Sequence, residues 1–206
     1  MDSLKIYFND SHLLISKKLP LPADNFTTIF ADEKEINEFF STTGILFDGI
    51  TNETILVVTE NPDKILRKFR ERIKEVTAGG GIVFNENDEL LMIYRRGKWD
   101  LAKGKIEKGE TIIEGAKREV EEETGVLIES VSQEPVHTYH AYKLKGKNSL
   151  KETSWYEMKA KPGQVKLVPQ VEEDIEIVKW VPRNEIRNYQ AGCYPLIRDL
   201  ISKYAV

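Results

Sequence analysis

The chain of 206 residues predicts an α/β protein in two parts, a small α/β domain over residues 1–76 and a larger α/β domain over residues 77–206. Three observations carry that expectation. Short apolar runs alternate with amphipathic segments along the chain, the pattern that packed layers of strand and helix require. The composition breaks at Thr77-Ala78-Gly79-Gly80-Gly81, where one series of elements ends and another begins. Residues 104–126 (GKIEKGETIIEGAKREVEEETGV) then read as a glycine-bearing loop and one helix with its own start and stop signals.

Residues 4–8 and 12–17 read as strands joined at Asn9-Asp10-Ser11, whose short polar side chains favour turns. Leu19-Pro20-Leu21-Pro22 is extended connector. Residues 32–40 have helical spacing, with Ile36, Phe39 and Phe40 on one face and Gly44 as the stop. Residues 54–59 (TILVVT) form a strand. Pro62 opens a charged helix running to about Val76, with Ile65, Leu66, Phe69 and Ile73 as its buried stripe. This order of elements closes a small core of its own.

The three glycines then serve either as a hinge or as a place where backbones pack closely at the start of a sheet. Residues 82–85 and 89–95 form a hairpin about Asn85-Glu86-Asn87-Asp88. Residues 136–144 and 154–161 are strands joined by a polar loop containing Gly146-Lys147-Asn148-Ser149, and residues 176–181 are another strand. Helix follows from Pro182, breaks near Gly192 and resumes over residues 195–204.

A formal net charge of −4 argues against general nucleic-acid binding, for which a basic surface is the usual footprint. A polyanionic small molecule remains compatible, because local charge outweighs the sum. Cys193 is the only cysteine, which excludes an internal disulfide, fits a reducing compartment and reads as a small buried residue. No apolar run is long enough to span a bilayer, and the N-terminus lacks a basic segment followed by an apolar one, so a cytoplasmic protein without a membrane partner is expected.

Within residues 104–126, Thr111 followed three residues later by Glu114 is a capping-box signature, and Gly125 is the expected left-handed stop. Advancing about 100° per residue places Ile112, Ile113, Ala116 and Val120 on a core stripe. Glu114, Lys117 and Glu121 fall on a solvated side. Glu119, Glu122 and Glu123 share one arc of roughly 100° beside the stripe. Carboxylates at positions i, i+3 and i+4 repel by a few tenths of a kcal/mol per pair. They also sit where the helix dipole disfavours anions by about 0.3–1 kcal/mol each. A divalent cation reverses the sign of both effects, and oxygen-only ligands suit Mg²⁺ or Mn²⁺. A solvated acidic face is the competing reading.

The order of residues resembles the Nudix box: a glycine, five residues, a glutamate, seven residues, then Arg-Glu-apolar-x-Glu-Glu-x-Gly-apolar. Here these are Gly104, Glu110 and then Arg118-Glu119-Val120-Glu121-Glu122-Glu123-Thr124-Gly125-Val126. The likeness extends more loosely from Ala78 to the C-terminus, through Ala78-Gly79-Gly80, Trp99-Asp100-Leu101 and Trp180-Val181-Pro182. The resemblance implies an α/β/α sandwich with a mixed sheet. It also implies Glu119, Glu122 and Glu123 as ligands of Mg²⁺ or Mn²⁺ with the Gly104 carbonyl as a further one, and a supporting Glu110–Arg118 pair with Gly125 closing the helix. The implied reaction is hydrolysis of a diphosphate linkage in a nucleoside diphosphate joined to another group. Glu123 and the later cluster Glu172-Glu173-Asp174 are the candidates for general base.

The flanking loops are basic, with Arg95, Arg96 and Lys98 before the box and Lys103, Lys105 and Lys108 in or beside its loop, which favours a phosphate-rich substrate. On the strand over 136–144, His140 and Tyr142 share one face and His137 and Tyr139 the other, and Arg95, Arg96, Lys103, Lys105, His140 and Tyr142 are the candidate substrate contacts. Trp99-Asp100-Leu101-Ala102-Lys103-Gly104 resembles the Trp-x-Leu-Pro-Lys-Gly form of Nudix enzymes for dinucleoside polyphosphates and diphosphoinositol polyphosphates, with Ala102 where proline is usual. The alternatives are an ADP-ribose or nucleotide-sugar hydrolase and a non-catalytic nucleotide-sensing module. Residues 1–76 lie outside the resemblance and suit either dimerisation, giving a homodimer, or a lid.

Overall fold

The computed structural model describes residues 2–8, 11–20, 26–30, 34–35, 38, 54–71, 73–163 and 166–205. In chain order the described strands are β1 (Ser3–Phe8), β2 (Ser11–Ser16), β3 (Thr28–Phe30), β4 (Thr54–Val58), β5 (Lys74–Phe84) and β6 (Glu89–Arg95). They continue as β7 (Lys98–Asp100), β8 (Lys103–Lys105), β9 (Ile128–Val131), β10 (Val136–Leu144), β11 (Lys147–Ala160) and β12 (Ile175–Pro182). The helices whose bounds fall within the described residues are α1 (Pro62–Arg70), α2 (Ile112–Thr124), α3 (Ile186–Gln190) and α4 (Pro195–Ile201). The chain divides into two compact units, Met1–Val76 with Tyr139–Lys151, and Thr77–Thr138 with Glu152–Val206.

In the first unit β1 and β2 pair antiparallel from Ser3↔Ser16 to Phe8↔Ser11, while β2 with β4 and β3 with β4 pair parallel. Tyr139 and His140 of β10 lie parallel to β1, opposite Ile6 and Tyr7. Along β1, β2 and β4 alternate residues turn inward, so Ile6, Leu13, Ile15, Ile55 and Val57 are buried against Ile65, Leu66 and Phe69 of α1. Asn61 caps α1 by accepting from the Lys64 amide at 3.0 Å. The helix ends at Arg70 rather than near Val76, because residues 74–76 leave it for β5, where β-branched Val76 and Thr77 suit a strand. The turn at Asn9-Asp10 and the expected helix over 32–40, except for Lys34, Glu35 and Glu38, lie outside the described residues.

In the second unit β5 lies between β6 and β11, β12 flanks β6 antiparallel, and β9 pairs antiparallel with β11. The alternation of side chains along β5 and β6 divides the core in two. Ile82, Phe84, Leu90 and Met92 point to one face, where they pack with Trp155, Ile186, Ile197 and Ile201 beneath α3 and α4. Val83, Leu91 and Ile93 point to the other and pack with Ala116 and Val120 of α2. Helices on both faces of a sheet make this unit the expected α/β/α sandwich. Its β12–β6, β5–β6 and β11–β9 pairings are antiparallel, and the parallel pairings that make the strands of the chain mixed are those of the first unit.

Two expectations need correction here, and three short strands were not expected. The hairpin between β10 and β11 turns at Lys145-Gly146, both left-handed (φ 49° and 76°), so Lys147, Asn148 and Ser149 are strand residues rather than loop. The short strands β7, β8 and β9 had no sequence signal, since three or four residues are too few to show an alternation. Ile112, assigned to the core stripe, is 37% exposed because it occupies the first turn of α2, beyond the reach of the sheet.

The glycines are not a hinge. Gly79, Gly80 and Gly81 lie inside continuous β5, and a Cβ on Gly79 would come within 2.8 Å of Ala116 Cβ and 3.0 Å of its Cα and N. Close approach of helix and strand backbones is therefore their use.

Candidate functional site

Helix α2 begins as its sequence dictates. Thr111 Oγ1 accepts from the Glu114 amide at 3.3 Å and Glu114 Oε2 accepts from the Thr111 amide at 2.8 Å, closing the capping box. Gly125 (φ 72°) stops the helix and its amide donates to the Glu121 carbonyl at 2.9 Å. Glu121, expected to be merely solvated, accepts from the Ile128 amide at 2.9 Å and ties the start of β9 to the helix.

The three carboxylates of the acidic arc divide into two groups. Glu119 Oε1 and Glu122 Oε2 each accept from the same nitrogen, Arg118 Nη1, at 2.9 Å. The guanidinium reaches Glu110 with its other donors, Nε to Oε2 at 3.0 Å and Nη2 to Oε1 at 2.8 Å, and Nη2 also donates to the Lys105 carbonyl at 3.2 Å. Glu110 further accepts from the Glu107 amide. These bonds, that of Arg118 first, hold the Glu110 carboxyl down at about 2. Gly104 lies under Glu119, whose carboxylate a Cβ at that position would strike.

Glu123 faces the other way. It is 1% exposed, Oε2 accepts from the Lys103 amide at 2.9 Å, and Oε1 lies 3.7 Å from Arg95 Nη1. Burial pushes its carboxyl up to about 7, against the lowering influence of Lys103 and Arg95. Burial also raises Glu119, with the Arg118 hydrogen bond pulling the other way. A solvated acidic face would leave all three side chains in water, and a 1% exposed glutamate excludes that reading for Glu123.

The residues fit a divalent cation in charge and donor chemistry. Their oxygens are hard donors, and two carboxylates already converge on one positive nitrogen, the place a metal ion would contest. Among the described residues no group of three His, Cys, Asp or Glu side chains is yet assembled to hold a metal ion, because Glu123 is turned to Lys103 and Arg95.

The remaining expected site residues are dispersed. Lys103 directs its ammonium inward, to Asp100 Oδ2 at 2.7 Å and the Leu101 carbonyl at 3.4 Å, rather than to solvent. The Lys105 side chain is exposed. Arg96 donates to Asp174 Oδ2 from Nε at 2.9 Å and Nη2 at 2.7 Å, and both residues are left-handed, with φ of 51° and 60°. Glu172 and Glu173 are exposed on the 3-10 turn Val171–Glu173, and the Glu173 charge acts on Glu119. His140 and Tyr142 stack on each other at 5.3 Å between ring centres and belong to the first unit. Cys193 is buried, as expected, which pushes its thiol up to about 12.

Sequence reasoning passed over Asp100 as a site residue. It is 4% exposed, and Oδ1 accepts from the Leu101 amide at 2.8 Å. Nothing in its spacing marks it, since only burial distinguishes it from a surface aspartate.

Together these features define an α/β/α domain in which one capped helix presents clustered carboxylates beside a glycine loop. The chain belongs to the Nudix family: the family model for the NUDIX domain matches residues 74–200, more than half of the sequence. Members of that family generally use divalent metal ions. The chain is 48% identical over 56 residues to the 8-oxo-dGDP phosphatase NUDT18 of Mus musculus, covering 25% of this chain and 17% of that protein. It is 29% identical over 136 residues to Nudix hydrolase 7 of Arabidopsis thaliana, covering 62% and 45%. The matches thus span less than half the length of these relatives. Among solved structures, a MutT protein from Methanosarcina mazei Go1 superposes with a TM-score of 0.47 at 20% identity, covering 64% of this chain and 94% of that one. A C. elegans Ap4A hydrolase gives 0.46 at 18% identity, covering 63% and 94%. No helix among the described residues is long and apolar enough to cross a membrane.

Proposed function

We propose that residues 77–206 form a hydrolase domain that cleaves a diphosphate linkage in a nucleoside diphosphate joined to another group, with Mg²⁺ or Mn²⁺ as cofactor. The observation that carries this reading is the convergence of Glu119 and Glu122 on Arg118 Nη1 beside a third, buried carboxylate, Glu123. Glu119, Glu122 and Glu123, with the Gly104 carbonyl, would hold the cation, which when bound neutralises diphosphate oxygens and lowers the pKa of a coordinated water. The chain's own groups do the rest. Glu110 fixes Arg118, Arg118 orders two of the carboxylates, and Arg95 and Lys103 confine the third.

For the general base, Glu123, Glu172 and Glu173 are better candidates than Asp174, whose carboxylate is held by Arg96. As substrate we favour a phosphate-rich nucleotide. The run Trp99–Gly104 points to a dinucleoside polyphosphate or a diphosphoinositol polyphosphate, and the local identity to an 8-oxo-dGDP phosphatase adds nucleoside diphosphates to the candidates. The lone buried cysteine and the −4 net charge agree with a cytoplasmic enzyme acting on a small molecule.

The test is a substrate panel with Mg²⁺ or Mn²⁺ in H₂¹⁸O, which identifies both the substrate and the phosphorus attacked. Glu122→Gln should abolish turnover by removing one ligand charge. Undiminished turnover in that variant would refute the metal assignment. Tight nucleotide binding without turnover by the wild type would instead favour the sensing module.

A further inference from the structure

A buried aspartate beside the carboxylate site has no role in the reading so far. We propose that Asp100 is a positioning residue that keeps the Lys103 ammonium off Glu123, leaving that carboxylate available to a divalent cation. The inference rests on the reading of Glu123 as a cation ligand.

The argument begins with Lys103, which meets two carboxylates from its two ends. Its backbone amide donates to Glu123 Oε2 at 2.9 Å, and its side chain bends back so that Nζ donates to Asp100 Oδ2 at 2.7 Å. The ammonium also donates to the Leu101 carbonyl at 3.4 Å, so its partners are the last residue of β7 and the residue that follows it. The Lys103 side chain is only 17% exposed and that of Asp100 only 6%, so the pair lies largely out of water. Gly80 gives Lys103 this place, since a Cβ there would come within 2.7 Å of Lys103 Cβ and 2.8 Å of the Ala102 carbonyl.

Stability does not account for the arrangement. Leu101 and Ala102 beside it are 0% and 3% exposed, and an amide side chain at position 100, which keeps an oxygen for the Leu101 amide, would suit that setting. A buried ion pair gains little over well-packed apolar groups, because desolvation offsets the attraction. The turn itself needs only an oxygen to accept from the Leu101 amide, which asparagine would supply. What the carboxylate adds is charge, and the charge decides which acid the ammonium chooses.

With the Asp100 charge removed, Glu123 is the carboxylate that Lys103 already holds through its backbone amide and on which the Lys103 charge already acts. Arg95 approaches Glu123 from the other side at 3.7 Å. A second cation bonded directly to Glu123 would compete with a divalent ion for the same oxygens. Asp100 prevents that while the Lys103 amide, a neutral donor, still fixes the direction of the carboxylate.

The test is Mn²⁺ binding to the full-length, cation-free protein, followed by loss of the free-ion electron paramagnetic resonance signal, for Asp100→Asn, Lys103→Met, the double variant and Glu123→Gln. Groups that orient metal ligands typically affect affinity by about 10–100-fold, and Asp100→Asn should weaken Mn²⁺ binding by about tenfold or more. Removing the lysine charge as well should recover most of that loss, and Lys103→Met alone should bind Mn²⁺ at least as tightly as the wild type. A merely structural ion pair predicts the reverse, with Lys103→Met as impaired as Asp100→Asn and no recovery in the double variant, and that result would overturn the proposal. If Asp100→Asn fails to fold, the Lys103→Met result alone decides between the two. If Glu123→Gln binds Mn²⁺ like the wild type, the ligand assignment of Glu123 fails. If Glu123→Gln is impaired while Asp100→Asn is not, only the role of Asp100 fails.

Discussion

Replacing Gly79 by alanine tests whether strand β5 and helix α2 are held together by the absence of one methyl group. The added Cβ would lie 2.8 Å from Ala116 Cβ and 3.0 Å from both Ala116 Cα and N. Ordinary contact between such atoms is about 3.5–4.0 Å, so the deficit approaches 1 Å. Two of the three opposing atoms are helix backbone, which no side-chain rotation can move. The helix must therefore shift as a body, and Ala116 and Val120, both 0% exposed, must repack with it. Overpacking of this kind costs about 1–3 kcal/mol. For chains of 150–250 residues each kcal/mol lowers Tm by roughly 2–4 °C, so a fall of about 4–8 °C is expected for a cost near 2 kcal/mol. Tryptophan fluorescence is a suitable probe, because Trp99, Trp155 and Trp180 all lie in the second unit and report its unfolding. The same shift should reduce turnover, since Gly104 is paired with Gly79 and lies under Glu119. Adding Ala116→Gly removes the nearest atom, so the double variant should be less destabilised than the sum of the singles. Gly79→Ala with an unchanged Tm would refute the close-packing argument. Strict additivity in the double variant would show that Ala116 is not the obstacle.

Three further outcomes follow from the site. Glu110 has its pKa lowered from 4.5 to about 2, so the stability it contributes is present above its unfolded value and is lost as pH falls through the folded one. The Tm difference between wild type and Glu110→Gln should accordingly be constant near neutrality and close between about pH 4.5 and about pH 2, and a gap that persists to the lowest pH would contradict the ion pair. Cys193 is 4% exposed with its thiol raised to about 12, so a thiol reagent at pH 8 should find no reactive group in the native protein and one after denaturation. Arg118→Lys has one ammonium for carboxylates that now share Nε, Nη1 and Nη2, and it should lower both Tm and turnover, as thermal melts and initial rates would show.

The parts of this protein that could be read from sequence are those set by local rules. The capping box at Thr111 and Glu114 and the stop at Gly125 depend on residues within one helical turn, and the structure has each where the spacing puts it. The turn between β5 and β6, the alternation of faces along β10 and the apolar stripe of α1 are equally local, although β5 begins at Lys74 and not at residue 82. Where the reading stopped, the cause was a competition between distant segments. Val76 could extend α1 or enter β5, and only the strand's place in the sheet decides between them. The basic residues illustrate the same limit within the site. Lys103 and Arg96 looked alike as solvent-facing cations, yet one is turned inward to Asp100 and the other is paired with Asp174, 78 residues away. Charge alone does not tell a phosphate ligand from a structural partner; burial and the identity of the acceptor do.

The same competition explains how α2 accommodates three glutamates near its C-terminal end. Like charges at i, i+3 and i+4 and an unfavourable dipole each cost a fraction of a kcal/mol. The structure offsets them by separating the acids, two on Arg118 Nη1 and one on the Lys103 amide beside Arg95. Arg118 binds the two groups of partners with different atoms. Nε and Nη2 serve Glu110, and Nη1 serves Glu119 and Glu122. A divalent ion that takes Glu119 and Glu122 therefore deprives the guanidinium of Nη1 contacts only, and the pair with Glu110 still holds it in place. If Glu119 and Glu122 are cation ligands as proposed, Glu110 would keep Arg118, and with it the loop that carries Gly104, in place when the cation binds. That would be a physical reason for the box to hold a fourth carboxylate.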